Sequence, residues 1–562
     1  RGGYSKSFVR EGTALIGSLL GANPGGSLPA SRTLGLGNVT IGTYLRTPNN
    51  PNLVLPQACS GTPCNSPDFS ATPSYPITLS TATSANAFDP SLKTGSVHSY
   101  TFGYQREIDR NTVVELRYVG NRGVDLFRQH NINELNVIEN GVLNEFKLAQ
   151  QNLAANVLAN RCQAGVTASG CQYNIAYFGP GTGTSPLPIT VAYLLGLNNA
   201  AAQNAAIYSN ANFRSTTFTT ALNPNAANPI SWGAALEGNA ARRTNALAAG
   251  LPSNFFFVNP TVATAGAYIL DNSARSWYDG GTIEVRRRMS NGLRMGASYT
   301  FAKAMSDSFQ SNSDNFADYT HRPGGQDLSK SVAVFDIRHA FKLDATYDLP
   351  FGNGRTFFGS SSRWVNAIVG GISISPVLRW QSGSPIQIGN VQLVGMTVED
   401  LQNSVKVRKE AAAVYWLPDD IILNSRRAFG TTIQSATGYG TLGVPEGKFI
   451  APAGYGNCQQ GFGGECGFRN LIIYGPSFFK LDATIAKAIP IGEKRSLELR
   501  LTSLDVLNRP NFRVGGWNAD AVTSGCCGAT FGQLGNTSAY QDISTTNDPG
   551  GRLIDLMIRL KF

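Results

Sequence analysis

Hydrophobic and polar residues alternate with period two along most of the chain, the pattern of strands whose two faces meet different surroundings. Before Ser290-Asn291-Gly292, one arm sets Ile283, Val285 and Met289 against Glu284, Arg286 and Arg288, with Arg287 interrupting the apolar row. After it, Leu293, Met295, Ala297, Tyr299 and Phe301 stand against Arg294, Gly296, Ser298 and Thr300. Asn-Gly between two alternating runs predicts a tight hairpin. A second hairpin is expected to reverse at Asp109-Arg110-Asn111. Its arms carry Tyr100, Phe102, Tyr104 and Ile108, then Val114, Leu116 and Tyr118, on one parity. Further strands are expected over 337–349, 372–381, 481–489 and 497–506, the last two joined around Pro490-Ile491-Gly492-Glu493-Lys494.

These runs are long. Soluble sandwiches use strands of about 5–6 residues, whereas a tilted strand crossing a bilayer needs about 9–11. Connections divide into short turns, expected at 109–111, 290–292, 351–354 and 490–494, and long loops, expected at 122–276, 305–335, 382–476 and 509–550. A structureless connection beyond about 15 residues is foreign to a compact domain. Short periplasmic turns alternating with long extracellular loops are the habit of membrane barrels, so 122–276 and 382–476 are expected outside the cell. The loops carry helical signals of their own. Thr397-Val398-Glu399-Asp400 opens a capped helix with Leu401, Val405 and Ala412 on one face, and residues 142–160 and parts of 189–250 are rich in Ala, Asn and Leu.

Residues 552–562 sharpen the pattern. Ile554, Leu556, Ile558, Leu560 and Phe562 form an unbroken apolar row, against Leu553, Asp555, Met557, Arg559 and Lys561. A lipid-facing row opposite a lumen-facing row fits a barrel strand. The same edge in water would invite aggregation.

Composition narrows the class further. Charged residues make up only 15% of the chain, against about 25% in an ordinary soluble domain. No run of about 18 uncharged apolar residues occurs, so no membrane helix is expected. The net charge of +10 is spread singly along the strands and is densest at Arg286-Arg287-Arg288. It comes without a helix-turn-helix, zinc-finger or RNA-recognition signature, so no nucleic-acid partner is expected. The chain opens at Arg1 without a visible signal peptide and is expected to be a portion of a longer protein.

The cysteines fall in Gly-, Asn-, Ser- and Pro-rich sequence as Cys59/Cys64, Cys162/Cys171, Cys458/Cys466 and the adjacent Cys526-Cys527. Local loop disulfides in an oxidising compartment are expected for the first three pairs. The adjacent pair is a poorer candidate, because neighbouring residues bridge only with a strained peptide. His98, His130, His321 and His339 lie far from the cysteines, so zinc is not expected. Asp307, Asp314 and Asp318 lack the Gly and terminal Glu of a calcium loop. No nucleophile elbow, phosphate loop or metalloprotease helix appears, so neither an enzyme nor a cofactor is expected. In Asp336-Ile337-Arg338-His339, an alternating strand would put Asp336 and Arg338 on one face and His339 on the other. A lumenal ion pair is the expectation there.

Several blocks carry a more specific likeness. Tyr118-Val119-Gly120-Asn121-Arg122-Gly123 with Leu126-Phe127-Arg128, and Ser298-Tyr299-Thr300-Phe301-Ala302-Lys303-Ala304, resemble strands of TonB-dependent outer-membrane receptors. So do Phe335-Asp336-Ile337-Arg338-His339-Ala340-Phe341 with Leu349-Pro350-Phe351-Gly352, and Gln381-Ser382-Gly383-Ser384-Pro385. Asp505-Val506-Leu507-Asn508-Arg509-Pro510-Asn511-Phe512 resembles the family's Asn-x-Pro-x-Phe turn, and residues 396–429 are similar to a loop of its Oar-like branch. The resemblance implies an all-β, transmembrane antiparallel β-barrel with long, partly helical extracellular loops. Residues 1–562 would supply about 10–12 strands, the C-terminal half of a barrel of about 22. The signal peptide, regulatory-like domain and plug would lie outside the chain. It implies the outer membrane of a diderm bacterium and uptake of a substrate across it. It also implies that the row Ile554, Leu556, Ile558, Leu560 and Phe562 is read by the barrel assembly machinery. Outer-membrane lipid, the N-terminal barrel half and plug, and the TonB energy-coupling complex would be the other partners. A barrel acting as a surface adhesin or assembly factor through its loops is the alternative.

Overall fold

The alternating segments become one antiparallel wall. The computed structural model describes residues 1–9, 17, 19–21, 23, 84–161, 173–262, 266–307, 330–411, 413–491, 495–512, 526–534 and 552–561. Ten strands follow one another across the sheet: β1 (Gly2–Phe8), β2 (Ser96–Asp109), β3 (Thr112–Asn131), β4 (Ala267–Ser290), β5 (Leu293–Ser306), β6 (His339–Asp348), β7 (Ile372–Gln381), β8 (Phe478–Ile491), β9 (Arg495–Leu504) and β10 (Leu553–Lys561). Two short strands attach beside them, Ala85–Phe88 parallel to β4 and Ser331–Val332 antiparallel to β5. Among the described residues nothing pairs with the outer edges of β1 and β10, so the sheet is open there.

The two expected hairpins form where expected. β4 turns into β5 through Asn291 (φ 52°) and Gly292 (φ 77°), the left-handed pair that matches strand twist in a two-residue turn. Between β2 and β3, the Asn111 amide donates to Asp109 Oδ1 at 2.7 Å. The reversal expected at 351–354 is only part of a longer connection, residues 349–371, between β6 and β7. Leu349 already pairs with Ile372 across the wall, through an amide-to-carbonyl bond of 2.9 Å. The Pro350, Gly352 and Gly354 segment instead closes on itself, with Phe357 donating to Pro350 and Gly352 to Phe357, both at 2.9 Å. A helix at Arg363–Val369, capped by Ser362, completes the connection.

The loop at 122–276 is shorter than expected at both ends. Irregularities between Gly123 and Arg128 let the β3–β4 ladder continue as far as Asn131↔Tyr268. The described residues of 132–161 and 173–262 then build a helical lobe from α1 (Val142–Leu158), α2 (Pro188–Leu195), α3 (Pro229–Glu237) and α4 (Ala240–Ala248). Phe146, Leu187, Tyr208, Phe213, Trp232, Leu236 and Phe256 fill its core. Asn side chains serve it as backbone partners: Asn156 Nδ2 donates to the carbonyls of Asn174 and Ala176 at 2.8 and 2.9 Å.

The loop expected at 382–476 sits between β7 and β8 as a second lobe. Pro385–Ile388 pairs with Leu471–Tyr474, and Val391–Val394 with Phe449–Pro452. Its helices are α5 (Val398–Ser404) and α6 (Asp419–Phe429). α5 carries the expected capping box at Thr397 and Asp400 but ends at Ser404. Val405 therefore follows the helix, and Ala412 lies outside the described residues. The lobes touch: Ala227 donates to the Gly454 carbonyl at 3.2 Å, Asn457 to that of Pro224 at 2.7 Å, and Asn223 Nδ2 to that of Gly438 at 2.8 Å. The largest fully buried side chains all belong to these lobes, whereas nearly all the large apolar side chains of the wall are exposed or half-buried. A soluble protein does the reverse.

Candidate functional site

The register of each strand pair shows how the exposed side chains line up. Leu116, Ile283, Tyr299, Phe341, Trp380 and Phe479 are direct partners in turn from β3 to β8. A second row runs Leu293, Tyr347, Ile374, Ile485, Leu501 and Leu556 from β5 to β10. β1 and β2 continue the face through Tyr4↔Tyr100, and β2 and β3 through Phe102↔Tyr118. Phe102 is 61% exposed and Leu556 67%. Toward the long-loop end the face turns aromatic and polar. Tyr299 Oη lies 2.7 Å from His339 Nδ1, beside Phe301 and Trp380. Tyr118 donates to Asp279 at 2.7 Å, where Arg122 Nη2 also binds at 2.8 Å. An apolar band bounded by such a girdle is the outer surface of a membrane barrel.

The terminal strand joins this face. Ile554, Leu556, Ile558 and Leu560 stand opposite Ser503, Leu501, Leu499 and Leu497, in that order. Phe562 lies outside the described residues. Asp555, Arg559 and Lys561 take the other parity, with Leu553 and Met557 among them, and Lys561 Nζ meets Glu498 at 2.8 Å. That second face is polar across the sheet. Glu115 is held by Arg117 at 2.6 Å and Arg286 at 2.7 Å, and Thr282 shares a 2.9 Å hydrogen bond with Thr300.

Asp336 and Arg338 do pair, Oδ2 to Nη2 at 3.4 Å, but not on a strand. They sit in a turn ahead of β6, because Asp336 folds back so that its amide donates to the Ala333 carbonyl at 2.9 Å. Its carboxylate is 1% exposed; Oδ1 accepts the Ala304 amide of β5 at 2.5 Å and Oδ2 the Tyr474 hydroxyl at 2.6 Å. Tyr474 belongs to the second lobe, so this buried acid fastens that lobe to the wall. Burial, with Asp336 alongside, pushes the Tyr474 phenol up to about 12. Sequence reasoning found Asp336 but not Tyr474, whose position carries no local signal.

Glu145 in α1 was not anticipated either. Its carboxylate accepts Ile189 N, Thr190 N and Thr190 Oγ1, each at 2.7 Å, capping the first turn of α2. Complete burial pushes it up to about 7 despite those bonds. An acidic residue at the start of α1 was the one available hint.

Cys458 and Cys466 are bridged, with Cα atoms 5.8 Å apart. Cys526 and Cys527 are joined as well. Cys59, Cys64, Cys162 and Cys171 lie outside the described residues, as do Asp314 and Asp318. Asp307 is buried and accepts the Arg275 amide at 2.9 Å. Among the described residues no three His, Cys, Asp or Glu side chains gather to hold a metal.

A two-faced antiparallel wall with short turns at one end and folded loops at the other defines an outer-membrane β-barrel protein. The family of the outer membrane beta barrel domain matches residues 1–552, and the chain belongs to it. The protein is therefore an outer-membrane one, its apolar face toward lipid and its polar face toward the barrel interior. No curated protein matches. Among solved structures the chain is similar to the outer membrane transporter YddB from Escherichia coli, at 7% identity and TM-score 0.30, over 86% of this chain and 34% of that one. It is also similar to the pyoverdine outer membrane receptor FpvA from Pseudomonas aeruginosa, at 9% identity and TM-score 0.27, over 84% and 30% of the two chains. The ferric enterobactin receptor PfeA from Pseudomonas aeruginosa gives 7% identity and TM-score 0.25, over 84% and 31%. The chain thus spans about a third of the length of each.

Proposed function

We propose that the chain is part of the barrel of a TonB-dependent receptor of the Oar-like branch, taking up a solute across the outer membrane without chemical conversion. The observation that carries this reading is that, among the described residues, both edges of a wall otherwise built for lipid lack a partner strand. Each unpaired backbone group in hydrocarbon costs several kcal/mol, so β1 and β10 call for further strands of the same barrel. Those strands are the N-terminal half, and a barrel of about 22 strands is wide enough to need a plug. Energy coupling through TonB would act on that plug. The assembly machinery would read the β10 row, and the two lobes would face outside.

The test compares the parent bacterium with a strain lacking the protein, following depletion of solutes from the medium by mass spectrometry. Solutes whose depletion requires both the protein and the proton-motive force support the transporter. A second reading is favoured by the lobes themselves, which carry their own cores and dock on each other as a surface adhesin would. Loss of attachment to surfaces with solute depletion unchanged would replace transport by adhesion.

A further inference from the structure

On the interior face of β5 and β6 lies a cavity of about 290 Å³, just below the roughly 300–1,000 Å³ of ligand pockets. Its lining is graded. Ser298, Thr300 and Lys342 supply polar groups toward the short-turn end, while Phe335 and Ile337 close it toward the lobes, with Tyr278 on the side. Phe335 is 69% exposed although it sits in the turn that buries Asp336. An aromatic ring held out over a cavity by a pinned turn is a surface waiting for an apolar body.

The neighbouring wall adds charge. Lys342 is directly opposite Arg379 on β7, which is directly opposite Lys480 on β8. Like charges facing one another across strands are destabilising, so three in one row need a reason. Lys480 has Asp482 at 3.9 Å, and Arg379 lies over the Phe478 ring at 5.6 Å. Opposite Lys342 on β5 stands Ser298, and Asp344 beyond it turns to Arg294 at 3.7 Å. Asp336 is taken up by Arg338 and Tyr474. Among the described residues Lys342 makes no ion pair, and it is the member of the row that lines the cavity.

We propose that this cavity is a binding subsite for a small amphipathic anion, an aryl or alkyl carboxylate or phosphate. Its charge pairs with Lys342, its polar oxygens reach Ser298 and Thr300, and its apolar body lies against Phe335 and Ile337. The assignment rests on the barrel reading above, because it needs the polar face to be an interior open to solutes.

Equilibrium dialysis of the full-length protein, purified from outer membranes, tests it with naphthoate and its neutral isostere naphthamide as probes. Naphthoate is expected to bind at least about tenfold more tightly, the worth of one charge-assisted contact. Lys342→Met should abolish that preference, Lys342→Arg should restore it, and Phe335→Ala should weaken both probes alike. Equal binding of the two probes overturns the proposal, as does naphthoate binding untouched by Lys342→Met. Failure of a small thiol reagent to label Lys342→Cys in the resting protein also overturns it, since the subsite would then be closed to solutes. Binding is read without transport. Energy-independent depletion with intact naphthoate binding would sink the transporter and leave the subsite standing.

Discussion

Tyr474 donates its hydroxyl hydrogen to Asp336 Oδ2 at 2.6 Å, joining residues 138 positions apart. The other carboxylate oxygen holds the Ala304 amide of β5, so one buried acid ties the wall to the second lobe. With its phenol pushed up to about 12, Tyr474 stays a donor through neutral and mildly alkaline pH. Tyr474→Phe should therefore loosen the lobe by about 1–3 kcal/mol, the cost of leaving a buried acceptor short of a partner. Hydrogen exchange should quicken within 382–477 while β5 and β6 keep parental protection. Equal opening of β5 would show that the bond does not act locally.

The contact between lobes is tightest at one glycine. A Cβ on Gly454 would overlap the carbonyl oxygen and amide nitrogen of Ala227. Both are backbone atoms in a segment that also gives Asn457 its Pro224 partner, so neither can swing aside. Gly454→Ala should separate the lobes at a cost of about 1–3 kcal/mol, typical of overpacking. Faster exchange at Ala227 and Asn457, with α1 and α6 unchanged, is the expected result.

The helical lobe should prefer mild acid. Burial pushes Glu145 up to about 7, above its unfolded value, and raises Glu237 by the same cause. A carboxyl raised on folding contributes stability that is complete below the unfolded value and lost as pH climbs through the folded one. For Glu145 that window runs from about pH 4.5 to 7. Tyr208 faces the same carboxylate and stays protonated across this window, its own value raised chiefly by burial. Local protection in α1 and α2 should be greater at pH 5 than at pH 8. Glu145→Gln should flatten that slope, leaving the part due to Glu237.

How much of this was legible depended on distance along the chain. The wall strands were readable because each residue meets lipid or the interior according to its parity alone. The turn at Asn291-Gly292 and the Thr397–Asp400 box were readable because their partners lie within three residues. The reversal at 351–354 misled only in length, since Gly-rich sequence marks a change of direction without showing that a helix at Arg363–Val369 extends the connection. Asp336 misled in the same way: period two was extended past the point where backbone folding back to Ala333 ends the strand. The Lys342–Arg379–Lys480 row required two registers at once. Tyr474 and Gly454 meet partners more than a hundred residues away, which no window of sequence contains.

The terminal strand offers the sharpest test of the two faces. Ile558 stands opposite Leu499 in the lipid-facing rows, and Met557 opposite Arg500 on the interior face. An Arg facing lipid near the bilayer midplane costs about 2–4 kcal/mol, falling toward the interfaces. Ile558→Arg should therefore reduce assembled barrel in the outer-membrane fraction, read as the heat-modifiable band on electrophoresis. The matched interior change should not add charge of the same sign. Arg500 already leans on Glu498 at 2.6 Å, so an arginine at 557 would face it across the strands. Met557→Glu places an acid opposite Arg500 instead and should assemble at the parental level. A one-residue slip in the β9–β10 register would exchange these outcomes, because every side chain of β10 would change faces. Equal accumulation of Ile558→Arg and Met557→Glu would mean that neither face of β10 meets hydrocarbon, and the wall would have to be reassigned to water.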